Sequence, residues 1–187
     1  SKAIRLKNAT EVSIIQNKSI ELSLLLSFPA SLGLIIASDE IVNGLFGYGS
    51  FSSKDIKMTS EALSFFGFGI VAFALVKILA NFFFARDNTK TPFYISAFIV
   101  FLNVLISVSF FNQVGFVIIP IATSISTWAG VFIYIYILQK SNYLMIQKIL
   151  IRNFLKITIS VGIMALILSL SLDKFANYLE YDYNLKL

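Results

Sequence analysis

Lys77 is the single charged residue between Ala62 and Ala85. A charge at the centre of a membrane helix costs about 2.5 to 3.5 kcal/mol on insertion scales, so such a residue asks for a use. Asn81 follows one helical turn later on the same face. Facing a polar cavity, the two would offer a positive charge and an amide to an anionic ligand. The plainer alternative is a lysine whose stem lies along its helix and lifts the ammonium to the headgroups. Glu21 is the one acid expected at a comparable depth to pair with it. Asn103, with Thr123, Ser124 and Thr127 further on, could line a pathway or hydrogen-bond to neighbouring helices, and packing is the commoner use of such residues.

Other chemistries lack their residues. The chain has no cysteine and no histidine, which removes thiolate nucleophiles, imidazole bases and the usual zinc ligands. The apolar stretches hold neither paired carboxylates nor a serine whose spacing from a base singles it out. They hold no ring-forming acidic or glycine filter either. No catalytic residue, metal site or cofactor is assigned. The net charge of +5 is read as loop charge that sets topology, not as a nucleic-acid surface.

These residues are positioned by an all-α integral membrane fold. The chain is 57% apolar and 13% charged, against roughly 25% charge in a soluble domain. A bilayer core of about 30 Å needs about 20 apolar residues per helix. Windows with few or no charges, extended to bilayer length, therefore predict spans at about 20–42, 62–85, 93–110, 116–138 and 154–172. Pro29 is tolerated within the first, because membrane helices re-satisfy the freed carbonyl. The uncharged run from Thr91 to Gln139 would be more than twice a bilayer as one helix. "FNQVG", Phe111 to Gly115, is where it is expected to fold back.

Charge asymmetry orients the bundle. Lys2, Arg5, Lys7, Lys18, Arg86, Lys90, Lys140, Lys148, Arg152 and Lys156 fall on one side, while Lys54, Lys57, Lys174 and Lys186 fall on the other. The first side is expected to be cytoplasmic, with the N-terminus. "RDNTKTP", carrying Arg86, Asp87, Thr89, Lys90, Thr91 and Pro92, then reads as a cytoplasmic turn in which Pro92 begins a helix. Lys148, Arg152 and Lys156 recur every four residues, which suggests an amphipathic segment at about 145–153 lying on the interface. A connector with snorkelling bases fits equally well. Ser23, Ser27 and Ser31, and likewise Ala122, Ser126 and Gly130, form small-residue faces for close helix packing. Trp128 sits too near mid-span for an interfacial anchor and reads as packing or a cavity wall. The opening "SKAIRLKN" has neither an initiator Met nor a signal-peptide pattern, so a fragment or processed product is expected.

The order of "LLLSFPASLGL" (Leu24 to Leu34), "IVNGLFGYGSFSSKD" (Ile41 to Asp55), "EALSFFGFGIVAFALVKILANFFFARDNTKTP" (Glu61 to Pro92), "LNVLIS" (Leu102 to Ser107) and "GFVIIPIATSISTWAGVFI" (Gly115 to Ile133) resembles the MurJ/MviN lipid II flippase family. That family belongs to the multidrug, oligosaccharidyl-lipid and polysaccharide exporter superfamily. The resemblance runs from about Ser1 to Ile137, more weakly through the last span. It implies a fourteen-helix, two-lobe protein of a bacterial cytoplasmic (inner) membrane, with a cavity that opens alternately to either side. The implied cargo is the undecaprenyl-pyrophosphate-linked peptidoglycan precursor, lipid II, among membrane lipids. The five spans would match the ninth to thirteenth helices, a partial second lobe. The family's cavity arginines lie on helices absent from this chain. Lys77 matches a lysine common in the family's "VKVLAP-FYAR-DT-TP" pattern, while Asn81 stands where that pattern has proline. The alternatives are a polysaccharide-lipid or drug exporter of the same superfamily, or a non-transporting structural membrane protein.

Overall fold

A computed structural model describes residues 9–185, with side chains over 10–174. Among the described residues all regular structure is helical: α1 (Ala9–Ile36), α2 (Ser38–Phe46), α3 (Ser53–Phe84), α4 (Lys90–Val114), a 3-10 turn (Gly115–Val117), α5 (Ile118–Lys140) and α6 (Lys148–Leu185). Four stretches are long and apolar enough to cross a membrane: Thr10–Ile36, Ser53–Phe84, Lys90–Lys140 and Lys148–Lys174. The third comprises α4 and α5, of 25 and 23 residues. Each would extend beyond ~30 Å at 1.5 Å rise, so each is long enough to cross by itself.

The helices form a row in which α3 packs on α1 and α5, α4 packs on α5, and α6 packs on α1. Cross-helix contacts give the directions. Ser31 Oγ donates to the Gly67 carbonyl at 2.8 Å, where α1 and α3 run antiparallel. A Cβ on Gly67 would lie 2.7 Å from Ile35 Cγ1 and 3.2 Å from the Ser31 carbonyl oxygen. The absence of a side chain there allows the approach. Parallel α3 and α5 are joined by Ser124 Oγ to the Phe65 carbonyl (2.7 Å) and Trp128 Nε1 to the Phe68 carbonyl (3.0 Å). Ser27, Ser31, Ala122, Ser126 and Gly130 are buried and Ser23 is half-buried, so both small-residue faces are packing faces. Trp128 is a packing residue between α3 and α5.

The fold-back lies where the sequence put it. Gly115 ends α4 at φ 75°, ψ −154°, a conformation that glycine adopts without a Cβ clash. Proline 29 lies inside an unbroken α1.

Several boundaries differ from expectation, and α1 already begins at Ala9, ahead of the span predicted from residue 20. The predicted span at 20–42 ends at Ile36, and Ser38 opens a separate α2 whose first turn holds Asp39 and Glu40. Acidic side chains in a first turn are favoured by the helix dipole, which suits a new start there although no side chain caps it, and the Asp39 carboxylate accepts from the Ser60 hydroxyl. The span predicted from residue 62 begins at Ser53, because Ser52 and Asp55 form a reciprocal cap: Asp55 N–H donates to Ser52 Oγ (3.3 Å) and Ser52 N–H to Asp55 Oδ2 (3.0 Å). The interfacial segment expected at 145–153 is not a separate helix. Lys148 opens α6, which runs without a break through the predicted span 154–172.

Candidate functional site

The C-terminal end of α3, the loop after it and the start of α4 enclose a groove of about 610 Å³. Lys77 and Asn81 line it from α3, Thr89, Pro92 and Ser96 from the loop and α4, and Tyr134 from α5. Lys77 and Asn81 are both exposed. Neither has a hydrogen-bond or ion-pair partner among the described residues. Glu21 does not serve Lys77: it accepts from Lys18 Nζ at 3.1 Å. The result is an uncommitted ammonium and amide, one turn apart, in a groove whose remaining wall is mostly apolar.

The loop that closes this groove is held by backbone geometry more than by its charges. Asp87 adopts φ 58°, the left-handed conformation that aspartate and asparagine tolerate better than most residues. Its N–H reaches the Phe84 carbonyl (3.0 Å) and the Asn88 N–H reaches that of Phe83 (3.1 Å), the Schellman pattern that satisfies the last carbonyls of a helix. Arg86 turns back: Nη1 donates to the Phe82 carbonyl (2.6 Å) and Nη2 to the Tyr143 carbonyl (3.1 Å). Burial lowers its pKa from the ordinary value, partly offset by Tyr143.

At the entry to α4, Thr89 is the N-cap residue but its side chain does not cap. Asn88 does that work, accepting from Thr91 N–H (3.1 Å) and donating to Thr91 Oγ1 (3.0 Å). Pro92 lies in the first turn, where its missing N–H has no intrahelical acceptor to lose. It is buried, and its carbonyl accepts from the Tyr134 hydroxyl (3.4 Å). Lys90 is exposed at the same helix start.

Asn103 lies elsewhere. It donates to Thr123 Oγ1 at 2.8 Å, and Thr123 donates in turn to the Ile119 carbonyl at 2.7 Å. This chain ties α4 to α5 outside the groove lining. Of the three pathway candidates, the structure brings Lys77 and Asn81 together and leaves Asn103 in a helix seam. The sequence reading passed over Asn88 and Tyr143. Asn88 carried a signal, a capping residue type three positions before Thr91. Tyr143 carried none, since its contact with Arg86 spans a separation of 57 residues.

A polar knot closes the same end of the bundle. Asn17 Nδ2 donates to the Met145 carbonyl (2.7 Å), Gln147 N–H donates to Asn17 Oδ1 (3.0 Å), and Gln147 Nε2 donates to Ser13 Oγ (3.2 Å). These bonds fix the connection between α5 and α6 against α1.

Taken together, the fold and groove are those of a multi-pass helical membrane protein. A sequence model described as "Lipid II flippase MurJ" matches residues 1–185. The chain belongs to the lipid II flippase MurJ family. It is 32% identical over 183 residues to a probable lipid II flippase MurJ of Rickettsia prowazekii (strain Madrid E), covering 98% of this chain and 36% of that protein. It is 28% identical over 155 residues to the lipid II flippase MurJ of Thermosipho africanus (strain TCF52B), covering 83% and 31%. A solved structure of lipid II flippase MurJ in an inward closed conformation superposes with a TM-score of 0.75 at 26% identity, over 87% of this chain and 33% of that one. The chain thus spans about a third of the length of these relatives.

Proposed function

We propose that this chain is part of the second lobe of a lipid II flippase in a bacterial cytoplasmic membrane. In this reading it helps carry the undecaprenyl-pyrophosphate-linked peptidoglycan precursor across the bilayer by alternating access. The observation that carries the reading is the family match over nearly the whole chain. Helices α1, α3, α4, α5 and α6 correspond to the ninth to thirteenth of fourteen, and the remaining helices complete the cavity. Basic residues concentrate at the end that holds Lys18, Arg86, Lys90, Lys140 and Lys148, which supports a cytoplasmic placement of that end and of the N-terminus.

The protein's task in this reading is electrostatic and steric, with no covalent step. A pyrophosphate entering hydrocarbon loses its hydration, and a compact ammonium with three donors can replace part of it. Lys77 and Asn81 are the groove residues placed to do so, while α3 and α5, locked by Ser124 and Trp128, move as one body when the lobes rock. Depletion of the protein that carries this chain tests the function. Lipid II should accumulate in the inner leaflet, and unchanged lipid II export would refute it in favour of another exporter of the superfamily or a structural role.

A further inference from the structure

The exposed bases of α6 lie opposite its packed face. Leu150, Ile157 and Val161 are buried, and at 3.6 residues per turn Lys148, Arg152 and Lys156 fall on the far side of the same helix. All three are exposed, with no hydrogen-bond or ion-pair partner among the described residues. Glu21, an acid of the neighbouring helix α1, is paired with Lys18 at 3.1 Å and makes no ion pair with these bases. One turn separates each base from the next, so the stripe is about 12 Å long.

The same face then becomes apolar. Ile159, Ile163, Leu166 and Leu170 are 64%, 54%, 66% and 62% exposed. Because α6 has no break after Lys148, bases and ridge share one rigid surface. From Lys156 to Leu170 the ridge rises ~21 Å, more than the ~15 Å that half of a bilayer core provides.

We propose that this face of α6 docks one anionic glycerophospholipid, its phosphate held by Lys148, Arg152 and Lys156 and an acyl chain lying along Ile159 to Leu170. Charge complementarity selects the occupant: three unpaired cations at headgroup level favour an anionic lipid, whereas a zwitterionic headgroup brings its own cation. The strip is separate from the Lys77 groove and does not depend on the transport reading.

Native mass spectrometry of the purified protein in a neutral detergent, titrated with dioleoyl phosphatidylglycerol or dioleoyl phosphatidylcholine, tests the proposal. The phosphatidylglycerol adducts should predominate. The preference should fall at least about tenfold in a Lys148→Gln, Arg152→Gln, Lys156→Gln variant. It should persist in the charge-conserving variant Lys148→Arg, Arg152→Lys, Lys156→Arg, which controls for folding. Ile159→Ser with Leu166→Ser should weaken retention of dioleoyl but not dihexanoyl phosphatidylglycerol. Equal retention of phosphatidylglycerol by the wild type and the glutamine variant, or no preference over phosphatidylcholine in the wild type, overturns the proposal. The strip is then a solvated helix end or a seat for another helix.

Discussion

Arg86 and Tyr143 meet twice. The guanidinium donates to the Tyr143 carbonyl at 3.1 Å, and its carbon lies 4.4 Å from the centre of the Tyr143 ring. One side chain therefore ties the loop after α3 to the loop after α5, whose helices run parallel and end at the same face.

Replacing Arg86 by alanine removes two charge-assisted hydrogen bonds and a cation–π contact, for an expected loss of about 2 to 3 kcal/mol. Lysine should recover less than half, since an ammonium cannot span the Phe82 and Tyr143 carbonyls in a fixed fork. Thermal unfolding in detergent micelles measures both variants. Burial lowers the Arg86 pKa, so burial opposes folding wherever the group is charged. Arginine remains charged throughout the working range, and the alanine variant's deficit should therefore be constant between about pH 6 and 9. A deficit that changes across that range would mean another group controls the contact.

The turn at Asn142 repeats the geometry at Asp87. Its φ is 54°, its N–H reaches the Gln139 carbonyl (3.0 Å) and the Tyr143 N–H reaches that of Leu138 (2.8 Å). A Cβ in this conformation costs about 1 to 2 kcal/mol in most residues. Asn142→Ala should lower stability by about 1 kcal/mol, while Asn142→Gly should match or exceed the wild type. Chemical unfolding of the two variants side by side decides the matter, and equal loss in both would point to the amide instead of the backbone.

Helix contact at Gly67 predicts a contrast with Gly162. Alanine at Gly67 pushes against Ile35 and the Ser31 carbonyl, whereas nothing lies within 4 Å of a Cβ on Gly162. Gly67→Ala should destabilise by about 1 to 3 kcal/mol. Gly162→Ala, in the middle of α6, should be neutral or stabilise by up to about 1 kcal/mol through helix propensity. If both variants melt together with the wild type, α1 and α3 are not held at the observed separation.

Period and charge made the five long helices legible, because a bilayer demands uninterrupted apolar length and the Thr91 to Gln139 run exceeded it. The break at Ala37 was not visible, since hydropathy runs on through Ile41 and Val42, and Asp39 and Glu40, the acidic first turn of the new helix, lie between. At the other end, the bases of α6 looked like an interfacial segment because a helical stripe has the same spacing whether or not the helix continues. Lys77 and Asn81 were legible as a pair because both lie on one helix, one turn apart. Their groove partners Thr89, Pro92 and Tyr134 depend on how α4 and α5 fold against α3. Composition carries no information about that packing.

Lys77 has no partner to lose among the described residues, which separates function from stability in its variants. Lys77→Ala should leave the melting temperature in micelles within about 2 °C of the wild type, because an exposed side chain without partners contributes little to folding. If the groove receives an anionic group, the same variant should fail to support growth of a cell depleted of the native protein. Lys77→Arg should support growth in part, keeping the charge with a different shape. Asn81→Asp should also impair growth, since a carboxylate one turn from the ammonium would pair with it and repel an incoming phosphate. Asn103→Ala should behave in the opposite way, lowering stability by about 1 kcal/mol through loss of the Thr123 hydrogen bond while growth is retained at raised expression. Normal growth of Lys77→Ala at ordinary expression would make the lysine a snorkelling bystander and remove the groove from the transport path.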